Sequence, residues 1–264
     1  MPENTKLLFG SILRMASADC VCDIGSRDGD QALFFKHLLP EAKVFAFEAN
    51  PINFKTMLAK PSLREAGIEL HEKAVSNENG IARFNIVDVD YDDPNSNKGI
   101  SSLLARDDLK VKMKVEVPSV RIDDFIAQHC PKAERVGLWI DVEGAEHMVL
   151  SGLTGLGAKV VAIHVECSRE AKWQGQKTYP EIEKLLVGLG FEPLANNMTD
   201  DVVIADFVFI HKAWAQKLGP ALRKARLKGK IAGWLRIDNI AVTLKTNFPG
   251  LYRFARRMYM RVGT

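Results

Sequence analysis

Short apolar stretches rich in valine, isoleucine and phenylalanine alternate with segments of helical periodicity from residue 19 to about residue 211. Apolar stretches of this length indicate buried strands, whereas apolar residues repeated every three or four positions indicate helices. The predicted strands are 20–24, 44–48, 68–71, 137–142, 160–167 and 207–210, and the predicted helices are 28–39, a segment starting at Pro51, 145–150 and 180–189. This alternation predicts an α/β fold with a mainly parallel sheet covered by helices on both faces.

Residues 82–120 depart from this order, because they contain two stretches in which apolar and polar residues strictly alternate. The apolar positions of the second stretch are Val111, Met113, Val115 and Val117. Such alternation predicts a half-exposed antiparallel pair of strands, which we place at an edge of the sheet. The intervening loop, 88–98, begins like a calcium loop, but Asp93 and Gly99 stand where that loop needs glycine and glutamate. We therefore interpret it as a solvated loop.

The net charge of +3 is the sum of an acidic body and a basic C-terminal segment. Residues 1–211 carry a net charge of −9, and residues 212–264 carry +12, with Asp238 as their one acidic residue. Residues 250–262 place arginines opposite an apolar helical face, and residues 213–235 repeat that pattern more weakly. The predicted divisions are an N-terminal helix or arm (1–19), an α/β domain (20–211) and a basic helical extension (212–264).

The basic extension is open to two interpretations. Its helices can pack their apolar faces on the body, or they can contact an anionic membrane surface or a phosphorylated glycan. We expect no nucleic-acid partner, because the basic residues accompany an apolar stripe and no known nucleic-acid motif.

Several features predict a cytoplasmic protein. No apolar run approaches the roughly 18 residues needed to span a bilayer. Segment 6–18 imitates a signal peptide, but Arg14 interrupts it and cleavage would fall against the first predicted strand. The four cysteines are too few and too scattered for a disulfide framework, so we expect reduced thiols. Peripheral contact with the inner face of a membrane is the alternative if the basic extension binds lipid.

The strongest local signal is the turn between the first strand and the first helix, with the sequence D-I-G-S-R-D-G at residues 23–29. Glycines there let a ligand approach the backbone, and the helix N-terminus offers free N–H donors. Asp23 stands where the dinucleotide fingerprint has its first glycine, and its charge would repel a pyrophosphate. A carboxylate suits a cofactor with an amino group and a positive charge, such as S-adenosylmethionine. Glu48 ends the second strand, 23 residues after Gly25, where an acid can accept both ribose hydroxyls.

A second group of acids lies in the sequence W-I-D-V-E-G-A-E-H. Asp141 ends a central strand, where open parallel sheets place their ligands. The spacing predicts that Glu143, Glu146 and His147 share one face of the following helix. Glu166 ends the neighbouring strand and reaches the same sheet edge. A favourable helix dipole alone would explain Glu146, but it would not explain Asp141, which precedes the helix. We therefore expect catalytic or ligand-binding roles for Asp141 and Glu143.

The segments DIGSRDG, FEANPINF, KGISSLL, VRIDDFI and IDVEGAEHMVLSGL resemble the FkbM-type family of S-adenosylmethionine-dependent methyltransferases over roughly residues 20–211. The resemblance implies a Rossmann-like class I methyltransferase fold, with a mainly parallel seven-stranded sheet whose last strand is antiparallel. It also implies O-methylation of a hydroxyl, commonly on a sugar or polyketide product. The matching positions are Asp23, Gly25 and Gly29 in the cofactor loop, Glu48 as the ribose acid, and Asp141 and Glu143 as the signature acids. Trp139 departs from the family pattern, which often has lysine there.

The resulting hypothesis is methyl transfer from S-adenosylmethionine to the hydroxyl of a small molecule or glycan. The cofactor-binding candidates are Asp23, Gly25, Ser26, Gly29, Glu48, Asn50 and Ala74. Asp141 or Glu143 would orient or deprotonate the hydroxyl, and His147 is a weaker candidate base. We expect no metal; in a magnesium-assisted alternative, the ligands would be Asp141, Glu143 and Glu166. Two other classes stay open: a nicotinamide-dependent oxidoreductase, and a binding module with a decayed methyltransferase fold that acts at membranes through its tail.

Overall fold

The structure, a computed structural model, describes residues 3–91, 93 and 98–234. The strands in these residues are β1 (Cys20–Ile24), β2 (Lys43–Phe47), β3 (Glu69–His71), β4 (Ala74–Val75), β5 (Gly80–Val87), β6 (Val111–Val120), β7 (Val136–Ile140), β8 (Val160–Ser168), β9 (Phe191–Asn196) and β10 (Ile204–His211). The helices are α1 (Thr5–Ala16), α2 (Asp30–Leu38), α3 (Pro51–Leu58), α4 (Pro61–Glu65), α5 (Ile122–His129), α6 (Glu146–Ser151), α7 (Tyr179–Gly188) and α8 (Lys212–Trp234).

The main sheet has the order β3-β2-β1-β7-β8-β10-β9 within the described part of the chain. Strands β3, β2, β1, β7 and β8 are parallel, and β10 is antiparallel to both β8 and β9. One face is covered by apolar residues of α1, α2 and α8, and the other by those of α5, α6 and α7. The structure therefore confirms the predicted α/β architecture, including the antiparallel last strand of the chain.

Four elements of the domain, α4, β4, α5 and β9, were not predicted from the sequence. Strand β9 contains Pro193, which lacks an amide hydrogen and suits an edge strand, and β9 is the last strand of the sheet. Helix α5 places Ile122, Phe125 and Ile126 on the sheet. All four cysteines are free thiols, as predicted.

The alternating segment forms an antiparallel pair, as predicted, but its place in the fold differs from the prediction. Strands β5 and β6 join β4 in a separate sheet of the order β4-β6-β5 within the described residues. Placement at an edge of the main sheet is therefore wrong, because β6 pairs with β4 and β5 and with no strand of that sheet. Phe84 and Ile86 of β5 pack on Ala49 and Ala74, which fixes the small sheet beside the ends of β2 and β3.

Helix α8 packs along α1. Trp214, Leu222 and Ala225 join the core that α1 forms with the sheet, and the Trp214 indole nitrogen donates to the Ala158 carbonyl at 2.8 Å. The helix is kinked at Gly219, where φ is +42°, immediately before Pro220. The apolar face of the described part of the extension is thus buried against the body. The predicted helix at 250–262 lies outside the described residues. In the described part of the chain, no helix is both long enough and apolar enough to cross a membrane.

Candidate active site

A cavity of about 230 Å³ opens at the carboxyl ends of β1, β2 and β7. The predicted site residues that line it are Gly25, Ser26, Glu48, Ala74, Asp141 and Glu143. Asp23, Gly29 and Asn50 belong to the same loops without lining the cavity, and neither His147 nor Glu166 lines it. The sheet therefore gathers most of the predicted positions around one space, as the rule for open parallel sheets predicts.

Asp23 supports the first loop from beneath. Its buried carboxylate accepts hydrogen bonds from the Ser26 hydroxyl at 2.5 Å and from the Ala32 amide at 3.0 Å. Its other oxygen, Oδ1, has no hydrogen-bond partner among the described residues. Burial raises the pKa of Asp23 to about 7. In the structure, Asp23 stabilises the loop through these two hydrogen bonds. Its contact with a cofactor amino group stays a prediction.

The two glycines of the loop are required by contacts within the protein. Gly25 has φ +83°, and a Cβ atom there would overlap the carbonyl oxygen of Asp141. Gly29 has φ +81°, and a Cβ atom would overlap the Leu63 side chain of α4. Glycine is therefore needed because the β1 loop lies directly against the β7 loop and against α4.

Glu48 is held in one orientation by two backbone donors. The Arg27 amide donates to Oε2 and the Asn50 amide to Oε1, each at 2.7 Å. The side chain is 6% exposed, and burial raises its pKa to about 7. Each carboxylate oxygen keeps a lone pair, so a ligand with two adjacent hydroxyls can donate to both. Asn50 caps α3 by accepting from Ile52, which explains its position behind the cavity.

Asp141 and Glu143 form the acidic wall of the cavity. Asp141 is accessible from the cavity, and its amide donates to the Ile24 carbonyl at 2.9 Å. Glu143 has φ +52°, a left-handed conformation that is uncommon outside glycine. Partial loss of hydration inside the cavity and the charge of Asp206 raise the pKa of Asp141 to about 6, and burial and the charge of Asp141 raise the pKa of Glu143 to about 7.

The predicted common helix face of Glu143, Glu146 and His147 is wrong. Helix α6 begins only at Glu146, and Glu143 precedes it in the left-handed turn. Glu146 turns inward, where Oε1 accepts from the Gly144 amide at 2.9 Å. His147 lies 3.1 Å from the Ser151 hydroxyl through Nδ1. The i, i+4 argument fails here because it applies only inside a helix.

Glu166 lies beside Asp206, its partner in the antiparallel register of β8 and β10. Burial and the neighbouring carboxylates, first among them Asp141, raise the pKa of Glu166 to about 9. No group of three or more histidine, cysteine, aspartate or glutamate side chains within the described ranges could hold a metal ion. The magnesium alternative therefore gains no support from the arrangement of Asp141, Glu143 and Glu166.

Residues 23–193 match the family model described as Methyltransferase FkbM domain. The chain belongs to the FkbM methyltransferase family. It is an enzyme that uses S-adenosylmethionine, and its sheet is the Rossmann-like sheet of class I methyltransferases. Membership in this family sets aside the nicotinamide-dependent oxidoreductase.

Relatives of known name are similar to most of the chain. The 2-O-methyltransferase NoeI of Sinorhizobium fredii is 29% identical over 180 residues, which cover 63% of this chain and 70% of NoeI. Methyltransferase sdnD of Sordaria araneosa is 26% identical over 212 residues, covering 69% of this chain and 76% of sdnD.

Solved structures with similar architecture include two methyltransferases. The precorrin-6y C5,15-methyltransferase of Geobacter metallireducens has a TM-score of 0.41 at 13% identity, covering 78% of this chain and 87% of that chain. The magnesium protoporphyrin IX methyltransferase ChlM of Synechocystis, solved with bound S-adenosylmethionine, has a TM-score of 0.42 at 10% identity, covering 76% and 74%.

The cavity of this FkbM methyltransferase fits the cofactor. Glu48 presents two oriented oxygens of the kind that ribose hydroxyls require, and Ala74 of β4 lines the same cavity. The loop with Gly25 and Ser26 would hold the methionine portion, close to Asp141. These residues would hold the nucleoside and amino-acid parts from two neighbouring loops, which the bond from the Arg27 amide to Glu48 joins.

Trp139, the departure from the FkbM pattern, belongs mainly to the core. Its ring stacks on His164 with 3.5 Å between centroids, and it packs at an angle against Phe9 and Phe35. Its indole is buried although the residue borders the cavity. Trp139 therefore packs between the sheet and α1.

Three cationic side chains near the cavity were not predicted from the sequence. Arg27 and Lys73 line it, and Arg106 lies near Glu143 and lowers the pKa of that carboxyl. Arg27 belongs to the predicted loop but has no motif of its own, although its φ of +55° marks it as unusual. Arg106 is 37 residues away from Glu143 in the chain, so no local pattern connects them.

Proposed function

We propose that this FkbM methyltransferase is an O-methyltransferase that acts on a hydroxyl of a sugar, a glycan or a related natural product. The observation that carries the proposal is the pair of carboxylates, Asp141 and Glu143, on one wall of the cofactor cavity. The pKa of each lies near neutrality, where a carboxylate can accept a proton from a hydroxyl during the reaction. The name of NoeI, a 2-O-methyltransferase, supports the same class of acceptor.

The chemistry divides among a few side chains. The bound cofactor supplies an electrophilic methyl group on a sulfonium. Glu48 orients the nucleoside by accepting hydrogen bonds from its two ribose hydroxyls. Glu143 takes the acceptor proton, since burial and the charge of Asp141 raise its pKa toward the working pH. Asp141, ionised above about pH 6, orients the hydroxyl and favours positive charge nearby.

The acceptor class is tested by incubating the protein with isotopically methyl-labelled S-adenosylmethionine and a panel of sugars, oligosaccharides and hydroxylated polyketides. Product mass and S-adenosylhomocysteine release are measured together. We expect label on a hydroxyl oxygen and no transfer to amine-only analogues. Label on nitrogen or carbon would contradict the proposal.

The acid roles are tested by substitution. We expect Glu143→Gln to lower kcat by about 100-fold or more, since general-base catalysis contributes that much. The rate of the parent enzyme should rise with pH through about 7, as Glu143 loses its proton. His147→Gln is the matched control because His147 lies off the cavity, and it should keep the parental rate. Parental kcat in Glu143→Gln would refute the base, and parental kcat in Asp141→Asn would refute the orienting role of Asp141.

The cofactor role of Glu48 is tested separately by calorimetry with S-adenosylhomocysteine. Glu48→Gln offers one acceptor oxygen where the carboxylate offers two, so we expect affinity to fall about tenfold or more. Glu134→Gln, which loses only a surface ion pair with Lys159, should bind like the parent. Equal affinity of all three proteins would contradict the ribose role.

A further inference from the structure

The turn that carries Glu143 is backed by a tryptophan from a distant part of the chain. Trp173, between β8 and α7, is 5% exposed, and its indole lies against Gly144 so closely that a Cβ atom on Gly144 would overlap the ring. Gly144 has φ +95° and follows Glu143 at φ +52°. Two successive left-handed residues, one of them not glycine, persist only where the surroundings enforce them.

Trp173 is itself fixed from several sides. The Gln176 side-chain oxygen accepts from the Trp173 amide at 3.1 Å, and the Gln174 amide donates to the Ala105 carbonyl at 2.8 Å. The Arg106 guanidinium lies over the indole, 5.3 Å from the ring centroid. Asp108 holds that guanidinium through two hydrogen bonds of 2.7 Å. The loops around Arg106 and Trp173 are therefore connected by a backbone hydrogen bond and by the cation–π contact, beside the acidic wall.

We propose that Trp173, with Arg106 over its ring, is a positioning residue for Glu143: the indole holds the Glu143–Gly144 turn in the conformation that presents the Glu143 carboxylate to the cavity. The catalytic meaning of this role rests on the proposed function, in which Glu143 accepts the acceptor proton. Removal of the indole would leave the turn held by the bond from the Gly144 amide to Glu146 and by the long bond, 3.4 Å, from the Ala145 amide to the Val142 carbonyl. The turn would then relax toward ordinary backbone angles and withdraw the carboxylate.

Charged neighbours support the same arrangement. Asp141 on the β7 loop opposes ionisation of Glu143, whereas Arg27 on the β1 loop and Arg106 favour it. Glu146 on α6 and Glu166 on β8 also belong to this acidic neighbourhood. Arg106 thus both covers the indole and provides positive charge near the carboxylate that the indole positions.

The experiment compares Trp173→Ala, Trp173→Phe and Arg106→Gln with the parent, using amide hydrogen exchange at Gly144 resolved by NMR. In Trp173→Ala we expect exchange at Gly144 to accelerate about tenfold or more, because the turn opens locally. Trp173→Phe keeps a flat ring and should retain most of the protection. Arg106→Gln should give an intermediate acceleration of exchange at Gly144. Arg106→Lys should restore the protection, since a cation again covers the indole.

Binding and turnover provide the second readout. Affinity for S-adenosylhomocysteine should change less than about twofold in Trp173→Ala, because Glu48 is untouched, whereas kcat should fall by about 100-fold through misplacement of the base. Trp214→Ala is the matched control, since Trp214 is 8% exposed and also has a cation, Lys217, over its ring at 4.3 Å. It should lose stability but keep parental exchange at Gly144.

The outcomes separate the two proposals. Unchanged exchange at Gly144 in a folded Trp173→Ala would overturn the positioning role, whatever Glu143 does. Faster exchange with parental activity in Glu143→Gln would leave the positioning role intact and refute the base. If Trp173→Ala does not fold, Arg106→Gln and Arg106→Lys carry the test, and equal exchange in both would overturn the inference.

Discussion

Gly25 illustrates how a correct residue can be found for an incomplete reason. The sequence predicts glycine at the strand-to-helix turn because a ligand must approach the backbone. In the structure, a side chain at position 25 would overlap the Asp141 carbonyl of the adjacent β7 loop. Two requirements therefore coincide at Gly25, a positive φ and an absent side chain, and both bring the β1 loop against the acidic wall.

The effect of this contact can be separated from the effect of backbone conformation. Gly25→Ala should lower the free energy of unfolding by more than about 2 kcal/mol, because it adds a backbone overlap to the cost of a positive φ. Gly67→Ala is the control: Gly67 has φ +72°, but a Cβ atom there would meet nothing within 4 Å. It should cost about 1 kcal/mol. Urea unfolding measures both, and equal losses would show that the overlap is relieved without cost.

Individual side chains of the site were predictable where strand ends determine them. Glu48 and Asp141 follow buried strands, and the carboxyl ends of parallel strands meet at one edge of the sheet. His147 was not predictable, because its place depends on where α6 begins. Trp173 carries no signal in the sequence, because its contact with Gly144 depends on a loop between β8 and α7.

At the scale of elements, prediction succeeded for buried strands and failed where neighbours decide the outcome. All five residues of β1 are buried, and the short, mainly apolar run that they form predicts a buried strand. The alternation of β6 correctly predicted an antiparallel partner, but alternation does not state which sheet the pair joins. Strand β9 was missed because Pro193 reads as a strand breaker until its edge position is known.

Helix α8 belongs to the core in part, although its charge suggests a separate appendage. Leu222→Ala should lower the free energy of unfolding by about 2–3 kcal/mol, since Leu222 is 7% exposed between α8 and α1. Leu227→Ala on the same helix is the control, because Leu227 is 59% exposed and should cost less than about 0.5 kcal/mol. Similar small losses would mean that the helix is dispensable. Membrane contact by the remaining basic residues stays a prediction.

At the scale of the whole molecule, the acidic body of the sequence concentrates several carboxyl groups at the sheet edge. The acidic side chains that influence Glu166 are Asp141, Glu143, Glu146 and Asp206. Their mutual repulsion and burial raise the pKa values of this group, so the folded protein keeps protons that the unfolded chain releases at lower pH. Stability should consequently fall as pH rises, opposite to the effect of ordinary salt-bridged carboxylates.

Glu166 makes the largest single contribution to this effect between pH 7 and pH 8. Its pKa is about 9 when folded and about 4.3 when unfolded, so across this window the folded protein holds one more proton at this site. The site should therefore lower the free energy of unfolding by about 1 kcal/mol from pH 7 to pH 8. The buried histidines, whose pKa values are lowered, act mainly below this window, around the unfolded pKa of about 6.5, and with the opposite sign.

The measurement is urea unfolding at pH 7.0 and about pH 8.0 for the parent, Glu166→Gln and the surface control Glu134→Gln. Glutamine resembles the protonated acid that the folded protein already holds, so Glu166→Gln should be the more stable protein at pH 8 and should lose about half of the slope. The other half comes from Asp23, Glu48, Glu143 and Glu146, whose pKa values are about 7. Glu134→Gln should keep the parental slope. A parental slope in Glu166→Gln would mean that Glu166 is ionised in the folded protein. The acidic wall would then carry its full negative charge at neutral pH, and Glu143 would be a weaker candidate for the base.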